Sequence, residues 1–416
     1  MWDQKNNAQG TAAWLLQPHS IDAFASAHYE RAPLYIPRND ARYYSEYFDI
    51  DELQRVLYDG EVPAESISVA KEGIAARPES YIRKSGRINE SKKVNRVEVI
   101  DPDRVSALFA HGCSIVLDRV QTYSPGVNRL CRGLESFFRH RVSANLYLTP
   151  ADSQGFAVHY DTHDTLLLQI EGSKHWRVYG SGFALPLDED EQKFNKKKTA
   201  IGDVQFEVEI KAGDFLYLPR GTMHAGTAND GLSMHLTLGL YPVKWISVLS
   251  EALAAAGASE LLLRSSIGTL EKPHYGSREL AEMLERAFSD TALEAAARRI
   301  ERKFVVGRHN DLDGQLQQLL LLPTLNDDSL LEIRGDMLSE VTEDEHGTAL
   351  SFSGKVLKLP RSAAAMIREL ETVSSASLAA LKKHDENAPR IVERLIKEGF
   401  LIQNAAPVAA RTSAVA

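Results

Sequence analysis

Short runs of alternating apolar and polar residues, punctuated by glycine and proline, fill the middle of the chain. VSANLYLTP, AVHYDTH, TLLLQIEG, KHWRVYG, VQFEVEI, FLYLP and LSMHLTLGLYP follow one another between residues 142 and 242. A period of two marks half-buried strands, and many short strands in succession predict an antiparallel barrel or jelly roll. Turns are expected at Gly172 and at Ala212-Gly213-Asp214. A barrel of this kind can hold a small cofactor in its mouth. Ahead of it the pattern is mixed. Ser20 caps a helix that ends before Pro33, Leu34-Tyr35-Ile36 is extended, and FDIDELQRVL has helical spacing. DRVSALFAHG reads as a helix stopped by Gly112 and followed by the strand SIVLDRV, and VNRLCRGLESFF puts Val127, Leu130, Leu134 and Phe137 on one helical face.

After Pro242 the texture changes. WISVLSEALAAAG and SRELAEMLERAFSDTALEAAARRIERKF are helical in period, with Leu280, Met283, Leu284 and Phe288 in one stripe. From Pro323 onward an extended pair around LSFSGKVLKLP sits among helices in RSAAAMIRELETV, SLAALKKH and PRIVERLIKEGFLI, a pattern similar to a winged helix. The chain therefore divides into 1–243, a barrel with an N-terminal extension; 244–322, helical; 323–404, winged-helix-like; and 405–416, a small-residue tail read as disordered.

Composition narrows the function classes. No apolar run is long enough to span a membrane, and 416 residues with 44% hydrophobic content suit a multidomain globular protein. The opening MWDQKNNAQG has no basic-then-apolar leader, and Cys113 and Cys131 are too few for a disulfide framework, so a cytoplasmic setting is expected. A net charge of -9 argues against a general polyanion binder. Residues 325–416 carry 14 acidic and 11 basic side chains, so no DNA binding is expected of the winged-helix-like part. The local exception is RPESYIRKSGRINESKKVNR (77–96), with seven basic and two acidic residues. It reads as a solvated loop, or as an encounter surface for a substrate attached to RNA. DEDEQKFNKKKTA (188–200) is a second polar loop.

The candidate chemistry lies in AVHYDTH. Residues two apart on a strand share a face, so the imidazole of His159 and the carboxylate of Asp161 converge, as in a non-haem iron facial triad. With 13 histidines in the chain, about one His-x-Asp pair arises by chance, so its neighbours decide its meaning. A second imidazole must come from a later strand. Spacing leaves His224, at a strand end entering a barrel-rim turn, ahead of His235, within a strand. His163 and His175 are further barrel histidines, and a fourth ligand at His163 would fill a position the chemistry needs open. Lys174, in EGSKHW, either pairs with a carboxylate inside the barrel or ends a strand in solvent.

NLYLTPADSQGFAVHYDTHDTLLLQIEGSKHWRVYG together with KAGDFLYLPRGTMHAG resembles the JmjC-domain ribosomal oxygenases, the cupin-4 group. The resemblance implies a mainly β core, a double-stranded β-helix or jelly-roll JmjC barrel, with an α-helical dimerisation domain and a C-terminal winged-helix-like domain. It implies an Fe(II)- and 2-oxoglutarate-dependent hydroxylase of ribosomal-protein side chains that uses O2, works as a homodimer and needs no membrane. By the same resemblance His159, Asp161 and His224 are the iron ligands, and Lys174 pairs with the C5 carboxylate of 2-oxoglutarate. Asn145 and Tyr147 line the pocket, and Thr237 offers a hydroxyl. Arginyl hydroxylases of the family typically use arginine where this chain has Lys174, so a histidyl target is favoured over arginyl. At Gly239 the chain departs from the serine often found in the family. Alternatives are a hydroxylase of another protein or biosynthetic peptide, a lysine demethylase, or a non-catalytic regulator.

Overall fold

A computed structural model describes residues 7–71, 73–88, 94–151, 153, 157–180, 183–187, 201–266, 268–269, 272–273, 278–308 and 312–404. The loop 188–200, the tail 405–416 and residues 89–93 of the basic segment lie outside the described residues. The chain forms two compact units, Ala8–Pro242 and the described residues from Val243 on.

The first unit contains β1 (Leu34–Ile36), β2 (Ile67–Lys71), β3 (Ile74–Ala75), β4 (Ile82–Ile88), β5 (Val94–Ile100), β6 (Ser114–Leu117), β7 (Arg141–Thr149), β8 (Asp164–Tyr179), β9 (Val204–Lys211), β10 (Phe215–Leu218) and β11 (His224–Tyr241). β4 and β5 make a separate hairpin. The others form one sheet in the order β1-β10-β8-β11-β7-β6-β2-β3, with β9 also pairing β8. β11 is the central plank, antiparallel to β7 on one side and to β8 on the other. Its alternation divides two environments. Met234, Leu236, Leu238 and Leu240 join Val142, Ala144, Leu146 and Leu148 of β7 in the main core. Against that face packs the helix Pro125–Phe138, through Val127, Leu130 and Leu134. Ser124 caps this helix by accepting from the Val127 amide. The opposite face of the sheet bounds a smaller cluster of Leu167, Trp176, Val178, Ile210, Leu216 and Leu218.

Two expectations need correction. Gly172 is not a turn between two strands but lies within the 16-residue β8, just after a bulge at Ile170, where Gln169 and Glu171 pair with the successive residues His235 and Met234 of β11. It has φ +63, and a Cβ there would lie 1.8 Å from the Leu232 carbonyl oxygen, so only glycine fits. The bulge changes which face each residue takes. Thr165 and Leu167 face the site before it, and Lys174 and Trp176 face it afterwards. β11 is irregular between Ala228 and Ser233 in the same place, so His224 and Gly226 precede that break and His235 and Thr237 follow it on one face. AVHYDTH, in turn, is not a regular strand. Its sheet contact is one antiparallel bridge, His159 with His224.

The second unit begins with helices Trp245–Ser259, Arg278–Ala287 and Asp290–Gly307. Glu251 on the first pairs with Arg299 (3.0 Å) and Lys303 (2.7 Å) on the third. Beyond Gln315–Leu321 come two three-stranded sheets, Leu330–Ile333 between Ser375–Ser377 and Leu401–Asn404, and Gly347–Phe352 between Glu340–Asp344 and Lys355–Leu359. Helices Ser362–Val373 and Ala388–Lys397 share their core through Ile367, Leu370, Val392 and Leu395.

Candidate metal and co-substrate site

The bridge between His159 and His224 is a reciprocal pair of backbone hydrogen bonds, 3.1 Å from the His159 amide and 2.8 Å from the His224 amide. This close pairing sets the two rings 4.6 Å apart between centroids. The Gly221 amide donates to the Asp161 carbonyl at 2.9 Å and fixes the third residue against the same turn. Ligating atoms of His159, Asp161 and His224 then lie within 4.8 Å of one another, the only such group of three among the described residues.

Each side chain is oriented by a neighbour. His159 Nδ1 donates to the Ala157 carbonyl at 2.9 Å, and His224 Nδ1 to the Thr222 carbonyl at 2.8 Å. A carbonyl only accepts, so both Nε2 atoms carry lone pairs suited to a metal. Thr165 Oγ1 donates to Asp161 Oδ2 at 3.0 Å, and His224 Nε2 lies 3.7 Å from that same oxygen. Burial together with the neighbouring His159 pushes the His224 imidazole down to about 4. Burial alone would raise the Asp161 carboxyl, but His163, His224, His159 and the Thr165 hydroxyl hold it at about 2. With both Nδ1 atoms committed to carbonyls, the group offers two imidazole Nε2 atoms and one carboxylate, a donor set that fits a ferrous ion.

From this cluster a pocket runs inward past Thr165, Leu167, Thr237 and Tyr147 to Trp176, Gly226, His235 and Lys174. Lys174 is 4% exposed, its Nζ is 3.4 Å from Thr149 Oγ1 and it stands 5.3 Å from the centre of the Trp176 ring. Burial drives its amine down to about 7. Gly226 makes room for it, because a Cβ there would fall 2.8 Å from Lys174 Cε. His235 stacks on Tyr147 at 4.9 Å, 3° from parallel, and its Nδ1, like Trp176 Nε1, is buried without a partner.

Among the expected site residues, the structure brings His159, Asp161, His224, Lys174, Tyr147 and Thr237 to one pocket. Asn145 pairs with Thr237 across the strands, but its Oδ1 accepts from the Arg119 amide at 3.0 Å. His163 lies beside the cluster without joining it, and His175 pairs with Glu207 at 3.3 Å. Sequence reasoning passed over Thr165, Trp176 and Gly226. The signal for Gly226 was its place two residues after His224 on the same strand.

A jelly-roll sheet with two histidines and an aspartate at its mouth defines a JmjC-type, cupin-like protein, and residues 117–247 match the JmjC domain family. The chain is a homologue of the NO66 and ribosomal oxygenase proteins. It is 30% identical over 313 residues to the "Bifunctional lysine-specific demethylase and histidyl-hydroxylase NO66" of Aedes aegypti, covering 70% of this chain and 47% of that one. It is 35% identical over 259 residues to "Ribosomal oxygenase 1" of Gallus gallus, covering 61% and 40%. The chain thus spans less than half the length of these relatives. The crystal structure of YcfD from Escherichia coli shares the fold, with a TM-score of 0.51 at 15% identity, covering 93% of this chain and 98% of that one.

Proposed function

We propose that this protein is an Fe(II)- and 2-oxoglutarate-dependent oxygenase that hydroxylates a ribosomal-protein side chain, histidyl rather than arginyl. One observation carries the reading: two imidazoles and a carboxylate share a pocket with a buried lysine that has no carboxylate beside it among the described residues. The names of the relatives, a histidyl-hydroxylase and a ribosomal oxygenase, supply the substrate class.

In this reading His159, Asp161 and His224 hold the iron, and their carbonyl-anchored Nδ1 atoms and the Thr165 hydroxyl keep the lone pairs aimed. Lys174 receives the far carboxylate of 2-oxoglutarate, with Thr237 and Tyr147 along its path and Asn145 paired beside Thr237. When bound, the ferrous ion and keto acid supply the oxygen-activating chemistry, with O2 as oxidant and succinate as by-product. Leu167 and Trp176 keep water from the co-substrate, and the fixed pocket holds one target carbon near the metal.

The protein acts as a homodimer in the cytoplasm, with domains at 1–243, 244–322 and 323–404, the last winged-helix-like and without a DNA role. Support for self-association comes from apolar side chains left open on the helical segments, Trp245 (73% exposed), Leu261 (73%), Leu316 (74%) and Leu320 (80%). Two buried free cysteines suit a reducing compartment, and among the described residues no helix is long and apolar enough to cross a membrane.

The test is succinate formation from 2-oxoglutarate with Fe(II) and ascorbate, alongside Mn(II) affinity by calorimetry. His224→Ala is expected to abolish both, whereas His163→Ala and His235→Ala retain part of each. Equal loss in all three variants would overturn the ligand assignment.

A further inference from the structure

On the pocket face, β7 and β11 present paired residues in steps: Tyr147 opposite His235, Asn145 opposite Thr237, Ser143 opposite Gly239 and Arg141 opposite Tyr241. Lys174 reaches Thr149, at one end of this ladder, and Arg141 is exposed at the other. The first steps, Tyr147, His235 and Thr237, line the pocket between Lys174 and the triad. Gly239 lies one step further out and pairs on its other side with Thr165, the residue that hydrogen-bonds Asp161. This step lies beside the triad on the side away from Lys174.

Position 239 contributes no side chain of its own, and His163 takes the space. A Cβ at Gly239 would lie 3.1 Å from both Cε1 and Nδ1 of His163, and 3.2 Å from Tyr241 Cε2. The imidazole is held against this bare backbone by the Tyr241 ring, 4.8 Å away at 53°. Tyr241 is backed in turn by the Arg141 guanidinium, 3.9 Å over its ring. His163 Nδ1 donates to the Asp164 carbonyl at 3.2 Å, which leaves Nε2 as the ring nitrogen open to a partner. Although only two residues from Asp161, His163 is outside the group of candidate ligands. It is half-buried and fixed on three sides, against the strand pair that carries Thr165 next to Asp161.

We propose that His163, seated on Gly239, is the specificity-determining residue for the target, its Nε2 accepting a hydrogen bond from the N–H of a neutral planar side chain, an imidazole, on the protein substrate. The proposal rests on the oxygenase reading and deepens it. A guanidinium could also donate, but it would bring a second cation up to Arg141, whereas a neutral imidazole meets Tyr241 and His163 without that repulsion.

The probe is the peptide that gains one oxygen when a digest of ribosomal proteins is treated with the protein, Fe(II), 2-oxoglutarate and ascorbate. Its affinity is then read by fluorescence anisotropy on protein loaded with Mn(II) and 2-oxoglutarate, where no turnover is needed. His163→Ala is expected to weaken binding about tenfold, the scale of one hydrogen bond with its stranded partner. His163→Gln, which restores an acceptor, should recover part of the loss, and Gly239→Ser, which displaces the ring, should resemble His163→Ala. Replacing the target histidine of the peptide by alanine should erase the difference between wild type and all three variants. Equal peptide affinity for wild type and His163→Ala, or a difference that survives the altered peptide, overturns the proposal. So does a modified residue whose side chain has no N–H, even though the oxygenase reading would stand. If wild type modifies no peptide and forms no succinate, that reading fails as well. Should His163→Ala melt early, Gly239→Ser and His163→Gln carry the same comparison.

Discussion

With Lys174 as the proposed anchor of the far carboxylate, the co-substrate affinity should depend on pH in a way that can be calculated. Its amine sits at about 7 because burial disfavours the charged form and no anion compensates. In the unfolded chain the same amine titrates near 10.5, so folding expels a proton, and this group destabilises the protein at pH 7 by an amount that lessens toward pH 10. Binding a carboxylate reverses this. The ammonium is then paired, and binding above pH 7 takes up a proton. In free protein about half of the lysines are charged at pH 7, about a tenth at pH 8 and about a hundredth at pH 9. The association constant for 2-oxoglutarate on Mn(II)-loaded protein should fall about fivefold from pH 7 to 8 and about fiftyfold from pH 7 to 9. Calorimetry at pH 8 in buffers of different ionisation enthalpy should register uptake of nearly one proton. Lys174→Met, similar in length but neutral, should abolish both effects. At pH 7 it should also lose about two to three and a half decades of affinity, from the 3–5 kcal/mol cost of a buried unpaired carboxylate. The same variant without ligand should melt higher than wild type, because the isolated buried amine is gone. A flat pH profile in wild type, or an unchanged slope in Lys174→Met, would refute the role of this residue.

Two further predictions probe the walls of the site. Gly226→Ala places a methyl 2.8 Å from Lys174 Cε and about 3 Å from the Trp176 ring, so it should cost at least about tenfold in 2-oxoglutarate affinity by calorimetry. Unaltered affinity would mean that Lys174 is not the anchor. Asp164 is fully buried, and burial raises its carboxyl to about 6 despite hydrogen bonds from Tyr217 Oη (2.8 Å) and the Arg220 amide (3.2 Å). The folded state holds its proton more tightly than the unfolded one, so this group favours folding more as pH falls from 6 toward 4. Asp164→Asn keeps the Oδ1 acceptor and should stabilise the protein at pH 8 by up to about 3 kcal/mol, with the gain vanishing near pH 4. Melting curves at the two pH values decide it, and a loss of stability at pH 8 would show that the charge is needed.

Much of the barrel was legible because its strands alternate cleanly and its turns carry glycine or proline. The main core of β7 and β11 follows the period of two from Val142 to Leu148 and from Met234 to Leu240. The His-x-Asp pair was visible too, but the reason for its convergence was not. AVHYDTH offers one bridge residue rather than a strand, so the two side chains meet through the turn fixed by His224 and Gly221. Nor could spacing choose between His224 and His235. Both reach the same pocket, one beside Asp161 and the other against Tyr147. The inward direction of Lys174 was the least legible feature. Strict alternation from Thr165 and Leu167 would send residue 174 to the opposite face, and only the bulge at Ile170 returns it to the pocket. A bulge is set by long-range pairing, here of Gln169 and Glu171 with His235 and Met234, and leaves little local signature beyond the glycine that follows it.

That bulge also accounts for where the molecule bears unfavourable contacts. An uninterrupted β8 would bury its apolar side chains on both faces and leave the lysine outside. With the bulge, the sheet buries an amine whose nearest partner is one threonine hydroxyl at 3.4 Å, and beside it His235 Nδ1 and Trp176 Nε1 without hydrogen bonds. Each such group costs about 1–3 kcal/mol when left unsatisfied in a dry interior. They are tolerated because the main core lies on the other side of the same strands, where Leu236, Leu238 and Leu240 are wholly buried against β7 and the helix Pro125–Phe138. The polar side of the sheet can then remain complementary to an anion that is not part of the chain. On the proposed reading, a dicarboxylate of the right length would supply the charge partner that Lys174 lacks among the described residues.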